Sequence, residues 1–531
     1  MSITSLKFPM FVLGVAFIYY VIPKKLQWIW LLLVSSVFYL NLSRNLSVYL
    51  LITIVSVFVL GLLMEKWEGE YKEKLAALKR GEITGDKKAL KEANKKRKRI
   101  LIWICVLINL GMLVFLKFYD LIVGEIYTKF GFSEGQFVPL LNLVLPLGIS
   151  FYTFQAIGYL VDVYRGKQKA EHNFFRFALF MCFFPQMIQG PISRYHQLAP
   201  QFVKEHSFNY EKFCRGFQLL GWGFFKKMVI ADRAALMANL VFNNYTDYQG
   251  WEYIVAILVY AAQMYGDFSG GIDIIRGVAQ VLDIDMVDNF ERPYFSVSIP
   301  EFWRRWHMTL GTWFRDYLFY PLSLSKYAQN ISKFLRKKNC MKMAKVLPSY
   351  IVCIILWLAN GAWHGAGIQF ILFGIYHGVL TILSMQFTPK TRELATKLHI
   401  NMEADSFKVF QILRTFFLVE VGRIIYVAPD IGATWHMFKS MFTASNFWIF
   451  FDGSVFNLGL DRANMLILFL SCLVLFVVEF AQERGVKIRQ WISEQNVWLR
   501  WTIWISLILV IFLFGIYGKG YDSAGFIYMM Y

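Results

Sequence analysis

The stretch Trp303–Tyr317, WRRWHMTLGTWFRDY, decides how the rest of the chain is read. Arg304, Arg305, Arg315, Asp316 and one histidine, His307, stand among five aromatic residues in a chain that is otherwise lipid-soluble in character. The preceding SVSIPEF (296–302) places Ser298 and Glu301 at capping-box spacing, with Pro300 in the first turn, so a helix is expected to start near Ile299. Such a helix cannot face lipid, because each central charge would cost about 2.5–3.5 kcal/mol. It lies at an interface or lines a cavity. On one unbroken helix, Trp303, His307, Gly311 and Phe314 share a face, and Gly311 leaves room beside the imidazole. The alternative is an interfacial helix with snorkelling arginines and an aromatic belt.

The surrounding chain explains why that stretch stands out. Its 531 residues are 57% hydrophobic and 18% aromatic, with a mean hydropathy of +0.45, a composition that soluble domains rarely reach. Apolar runs recur, among them 8–23, 26–43, 45–64, 100–116, 347–363, 365–389, 463–478 and 501–518. With about 20 residues needed to cross the hydrocarbon, eleven to thirteen membrane segments are expected, some short or broken. The fold class is therefore all-α and polytopic. The first run lacks a small-residue cleavage site and reads as a retained span. The net charge of +19 resides mainly in loops, notably 65–99 and 326–345, which fits cytosolic loops that could also meet anionic lipid head groups, rather than nucleic-acid binding. The first of these loops, with EKWEGEYKEKLAALKR (65–80), mixes Glu and Lys at helical spacing and reads as a helical hairpin. Six scattered cysteines without C-x-x-C spacing indicate neither a disulfide framework nor a metal site. No phosphate-binding glycine loop is present.

Four regions emerge: N-terminal spans with the basic loop 65–99 (1–135), a core (136–386), C-terminal spans (387–518) and a tail (519–531). The core differs because Pro, Gly, His, Asp and Arg interrupt its apolar runs, and polar backbone at membrane depth persists only inside protein or beside a watery cavity. Within it, NGAWHGAG (360–367) places His364 inside the membrane by hydropathy, flanked by Gly361 and Gly365. An intramembrane histidine is a functional hypothesis by default, and its titration near neutrality suits a general base. His377, in FGIYHGVL (373–380), is read as a structural, hydrogen-bonded residue.

These stretches also carry a resemblance. GISFYTFQAIGYLVDVYRG (148–166), FPQMIQGPISRY (184–195), DFSGGIDI (267–274), NFERPYFSVSIPEFWRRWHMTLGTWFRDYLFYPL (289–322) and GAWHGAG (361–367) resemble, in order, the membrane-bound O-acyltransferases, and within them the bacterial branch of alginate O-acetylation proteins and teichoic-acid D-alanyl transfer proteins. The resemblance implies a ring of helices around a thin centre crossed by a tunnel. It maps the histidine of the family's Trp-His-Gly motif onto His364 and a second one onto His307. Asn360-Gly361-Ala362 departs from the family's usual residues before Trp-His-Gly, which bears on the pocket wall. Trp363, Asn360, Arg304, Arg305, Trp306, Arg315, Asp316 and Asp267 are the implied supporting or substrate-binding residues, with Arg315 and Asp316 equally readable as a structural pair.

The tail FIYMMY (526–531) resembles the family's closing F-I-Y-x-x-F, with Tyr528 at the position thought to carry an acyl ester and Tyr531 replacing the final Phe. The basic loop 484–500 reads cytosolic, so this tail is expected outside the membrane. The implied activity is O-acyl transfer in a bacterial cytoplasmic membrane. The donor is a cytosolic thioester, acetyl-CoA, with no tightly bound cofactor. The acyl group passes by way of Tyr528 to an SGNH-type hydrolase-fold partner, like that of the D-alanylation system, and on to a polysaccharide. D-alanyl transfer from a carrier protein, a polysaccharide or lipid transporter, and a scaffold in an export complex are the competing readings.

Overall fold

The computed structural model describes residues 5, 7–130 and 138–517, and within them every regular element is helical. Its contacts define two compact units, 1–214 with 278–287, and 215–277 with 288–531. This boundary is one of packing. The compositional divisions at 135/136 and 386/387 mark where the apolar runs change character, which is a different quantity.

In the first unit, α1 (Lys7–Val21), α2 (Gln27–Ser43), α3 (Ser47–Lys79), α4 (Lys87–Phe130) and α5 (Ile149–Tyr164) carry the core. The basic loop is a helical hairpin: α3 and α4 continue past their apolar stretches and turn at residues 80–86. Across it, Lys98 meets Glu68 at 2.7 Å, Arg97 meets Glu70 at 2.8 Å, and the Arg97 guanidinium lies 4.1 Å from the Trp67 ring centre. The mixed charges of 65–99 thus pair between helices.

The second unit contains most of α6 (Trp251–Val281), then α7 (Ile299–Arg305), α8 (Met308–Phe314), α9 (Met341–His364), α10 (Ile368–Lys397), α11 (Asp405–Val427), α12 (Arg462–Glu483) and α13 (Val497–Phe514). Its core is aromatic-rich, with Tyr253, Phe268, Phe302, Trp306, Phe373 and Tyr426 buried. The α9–α10 hairpin closes on glycine. A Cβ at Gly361 would stand 2.3 Å from the Phe370 carbonyl oxygen, and one at Gly374 2.3 Å from that of Trp357. Small residues let two apolar helices approach this closely.

Six helical stretches among the described residues are long and apolar enough to cross a membrane: 24–79, which holds both α2 and α3, then α4, α9, α10, α12 and α13. Other apolar runs fold as shorter helices, such as 174–182 and 184–189, because Pro and Gly interrupt them. The chain is an integral, multi-pass membrane protein.

Candidate functional site

The Trp303–Tyr317 stretch begins as its sequence dictates. Ser298 caps α7, its hydroxyl accepting the Glu301 N–H, and Glu301 reaches back to the Val297 N–H at 3.1 Å. The single long helix does not follow. The chain breaks after Arg305, and His307 adopts φ 46°, ψ 53°, the left-handed region. The shared face of Trp303, His307, Gly311 and Phe314 is therefore corrected: His307 sits at a kink, and Gly311 is exposed. A non-glycine residue there carries strain of about 1–3 kcal/mol, and such strain persists only where surrounding structure imposes it.

That imposition comes from Asn289. Its carbonyl accepts the Met308 N–H at 2.9 Å, and next to it the Glu291 N–H reaches the Arg305 carbonyl at 3.0 Å. The Asn289 side-chain oxygen accepts the Thr309 N–H at 3.0 Å and the Thr309 hydroxyl at 2.8 Å, so Asn289 caps α8 from 20 residues upstream. The same oxygen lies 3.1 Å from His307 Nδ1. An amide oxygen only accepts, so Nδ1 bears the proton and Nε2 carries the basic lone pair.

His364 ends α9 and is 6% exposed. Its ring packs edge-on against Phe373 and Tyr426, with the Tyr426 hydroxyl 3.4 Å from Nδ1. Both candidate histidines meet Trp363: ring centres are 4.7 Å apart for His364 and 5.9 Å for His307. The structure thus gathers His307, Trp363 and His364 around one indole. Trp306 is buried one layer behind, in contact with Phe268 and Phe290. Asn360 is buried on α9 one turn before His364.

The remaining predicted residues lie elsewhere. Arg305 is held by Glu301 at 2.7 Å and Glu483 at 3.0 Å. Arg315 and Asp316 pair with each other at 3.3 Å, and Arg304 is exposed. Asp267 is one of two carboxylates, with Asp232, around the buried Lys227 ammonium, a network that a π-helical turn at 225–231 brings together. Tyr528 lies outside the described residues.

Two cavities flank the cluster. One, of about 1100 Å³, runs between apolar side chains of α12 and α13, such as Val474 and Leu507. It also meets Lys226, Arg276, Arg292 and Arg489 together with Asp273, Asp288 and Glu479, and it reaches Asn289; Lys226 pairs with Asp273 and Arg276 with Asp288, each at 2.6 Å, and Arg292 with Glu483 at 2.8 Å. None of Arg304, Arg305 and Arg315 lines it. The other, of about 30 Å³, is bounded by His364, His377, Arg423 and Tyr426 with Trp303, Trp306 and other apolar side chains. Arg423 is ion-paired with Glu420 at 2.7 Å, both 5% exposed.

Asn289, Glu420, Arg423 and Tyr426 were not singled out from the sequence. Asn289 lies within the quoted NFERPYF, where nothing marks it as a cap. Glu420 and Arg423 did leave a signal, two charges three residues apart in the apolar FFLVEVGRIIYV (416–427).

Residues 169–335 match the model of the membrane-bound O-acyltransferase family, a region that holds His307 and ends before His364. A probable alginate O-acetylase of Pseudomonas aeruginosa is 34% identical over 375 residues, covering 70% of this chain and 64% of that protein, so the match spans just under two thirds of this relative. The peptidoglycan O-acetyltransferase of Helicobacter pylori is 28% identical over 453 residues, 78% of this chain and 80% of that one. The teichoic acid D-alanyltransferase of Bacillus subtilis is 30% identical over 247 residues, 45% of this chain and 58% of that one. With these matches and the ordered motifs around His307 and His364, the chain belongs to the membrane-bound O-acyltransferase family.

Proposed function

We propose that this protein is an O-acyltransferase that takes an acetyl group from a cytosolic thioester, acetyl-CoA, and delivers it across the membrane for O-acetylation of a cell-wall or extracellular polysaccharide. The observation that carries this reading is the buried meeting of His307 and His364 on Trp363. His364 is the general base that takes the proton of the incoming hydroxyl. A neutral hydroxyl is a weak nucleophile at neutral pH, so base assistance contributes about 10²–10⁴-fold. His307, protonated on Nδ1 by its bond to Asn289, offers the Nε2 lone pair and orients the acceptor hydroxyl.

The larger cavity supports a donor role. Its volume suits a cofactor-sized ligand, and its wall carries arginines that a phosphate would engage in exchange for their carboxylate partners Asp288 and Glu483. The phosphate contacts then fall to the residues of that cavity and not to Arg304, Arg305 and Arg315.

In this scheme the first acceptor is the hydroxyl of Tyr528. The acyl-tyrosine then passes its group to an extracytoplasmic SGNH-type partner, which places it on the polysaccharide. The longer match to the peptidoglycan O-acetyltransferase than to the D-alanyltransferase favours acetyl over D-alanyl.

Intact-mass spectrometry of the purified protein after incubation with acetyl-CoA, beside Tyr528→Phe and His364→Ala, tests it. One acetyl adduct on a C-terminal peptide, lost in both variants, is expected. An adduct that survives Tyr528→Phe would sink the tail relay, and neither adduct nor CoA release would sink the acetyl-CoA reading.

A further inference from the structure

The small cavity beside His364 has a donor set that the acyl-transfer scheme has not yet used. Arg423 Nη1 bonds Glu420 Oε1 at 2.7 Å and the guanidinium lies over the Tyr294 and Trp306 rings, 5.2 and 5.1 Å from their centres, yet Nη2 and the second carboxylate oxygen, Oε2, make no hydrogen bond of ordinary geometry among the described residues. A buried guanidinium and carboxylate gain most from a two-pronged pairing, and a buried donor left unmade is costly. This pair is joined through one prong only.

His377 shows the same pattern. Its Nδ1 accepts the Trp303 indole N–H at 3.2 Å, so the ring proton is on Nε2, and Nε2 too has no hydrogen-bond partner among the described residues. Arg423 and His377 both line the cavity of about 30 Å³ that His364 also lines. That volume admits one or two water-sized groups, which is room for a carbonyl oxygen and not for a whole acyl donor. The other walls are aromatic and aliphatic, including Trp303, Trp306 and Phe373, so a charge developing there meets protein dipoles instead of bulk water.

We propose that this cavity is the oxyanion pocket of the acyl transfer, with Arg423 Nη2–H and His377 Nε2–H as its two donors. The inference rests on His364 being the general base. An acceptor hydroxyl attacks the thioester carbonyl carbon as its proton passes to His364. The carbonyl electron pair moves onto oxygen, where Arg423 and His377 hold it. Collapse of the tetrahedral species re-forms the carbonyl and breaks the carbon–sulfur bond, and His364 returns the proton to the thiolate. The products are an ester and a thiol. Glu420 is a positioning residue that fixes the guanidinium. Gly422 admits the His377 ring, since a Cβ there would stand 2.5 Å from Nε2.

The test uses the full-length protein in detergent with acetyl-CoA, reading thiol release together with melting temperature. His377→Phe keeps the ring and removes the donor. Glu420→Gln with Arg423→Met removes the other donor without stranding a carboxylate, and Arg423→Lys serves where that pair does not fold. Loss of one oxyanion donor costs about 10²–10³ in kcat. A fall of this order is expected for His377→Phe and for the double variant, and a smaller one for Arg423→Lys. KM for acetyl-CoA and the pH profile of kcat stay in place, because His364 is untouched. Wild-type kcat in His377→Phe and in the Arg423 variants, with His364→Ala inactive, overturns the pocket and leaves the base assignment standing. Activity that falls only with melting temperature, with KM rising alongside, overturns it in favour of a structural water site. An active His364→Ala, or a wild-type protein that releases no thiol, removes the base reading and the pocket with it.

Discussion

Two Trp-His pairs, Trp306-His307 and Trp363-His364, reach the same aromatic cluster by opposite means. His307 is held by backbone: a left-handed turn, carbonyl and amide pairings with 289–291, and a side-chain cap that also sets its tautomer. His364 is packed among rings at the last turn of a long helix, with the Tyr426 hydroxyl 3.4 Å from its Nδ1. The first arrangement suits a group that must point one way. The second leaves the ring at a helix end beside a small cavity, the position a group needs if it is to take a proton from one partner and give it to another.

The comparison breaks most readily at His364. His364→Ala is expected to lower kcat for thiol release from acetyl-CoA by about 10²–10⁴-fold, with a melting temperature close to wild type. Next is His307→Gly, which accepts the left-handed turn without strain. Acyl transfer should fall by about 10²-fold, the low end for loss of a positioned histidine, and the melting temperature should fall less than in His307→Ala, which leaves the same cavity beside Phe268 and Trp363 but keeps the strained turn. Equal melting temperatures for the glycine and alanine variants would show that the turn is not strained. Asn289→Ala sharpens the contrast, because it orphans Thr309 donors at about 1–3 kcal/mol each. A clear drop in melting temperature, with a loss of activity short of that in His307→Gly, is expected. Tyr426→Phe removes a long neutral contact worth about 0.5–1.5 kcal/mol at most, so kcat should fall several-fold or less; a larger loss would make Tyr426 an essential orienter of His364.

The smallest effect on catalysis belongs to another left-handed residue, Asp283, in the first unit. Burial raises its carboxyl, but Lys212 and His206, the latter at 2.9 Å, more than offset this and hold it below the usual range. A depressed carboxylate contributes stability above its unfolded pKa and loses it as pH falls through the folded one. Asp283→Asn should therefore lower the melting temperature at neutral pH, the difference closing in acid, with acyl transfer unchanged.

Much of this architecture was legible in the sequence. The paired charges of 65–99 reported a hairpin, Ser298 and Glu301 the start of α7, and the apolar runs around NGAWHGAG the two long helices α9 and α10 on either side of it. Each is a local property, written in spacing or in hydropathy over one or two helical turns. The kink at His307 is not. Trp306-His307-Met308 contains neither Gly nor Pro, and helical periodicity runs straight through it, so local propensity favours the continuous helix. Asn289 overrides it with hydrogen bonds that exist only once the segment 289–291 lies alongside 305–309. The same holds for Glu420 and Arg423. Their spacing shows two charges in an apolar helix, but only the packing of α11 against α9 and α10 brings Arg423 and Tyr426 to the cavity that His364 and His377 share.

The sequence by itself determined a multi-pass helical membrane protein with a histidine between two long apolar helices and a capped polar helix, because hydropathy and capping act over neighbouring residues. Only the tertiary structure decided which nitrogen of His307 is basic, which arginine stands beside His364 and which cations surround the larger cavity. Hydrogen-bond partners and cavity walls come from residues tens of positions apart, and no local pattern records them.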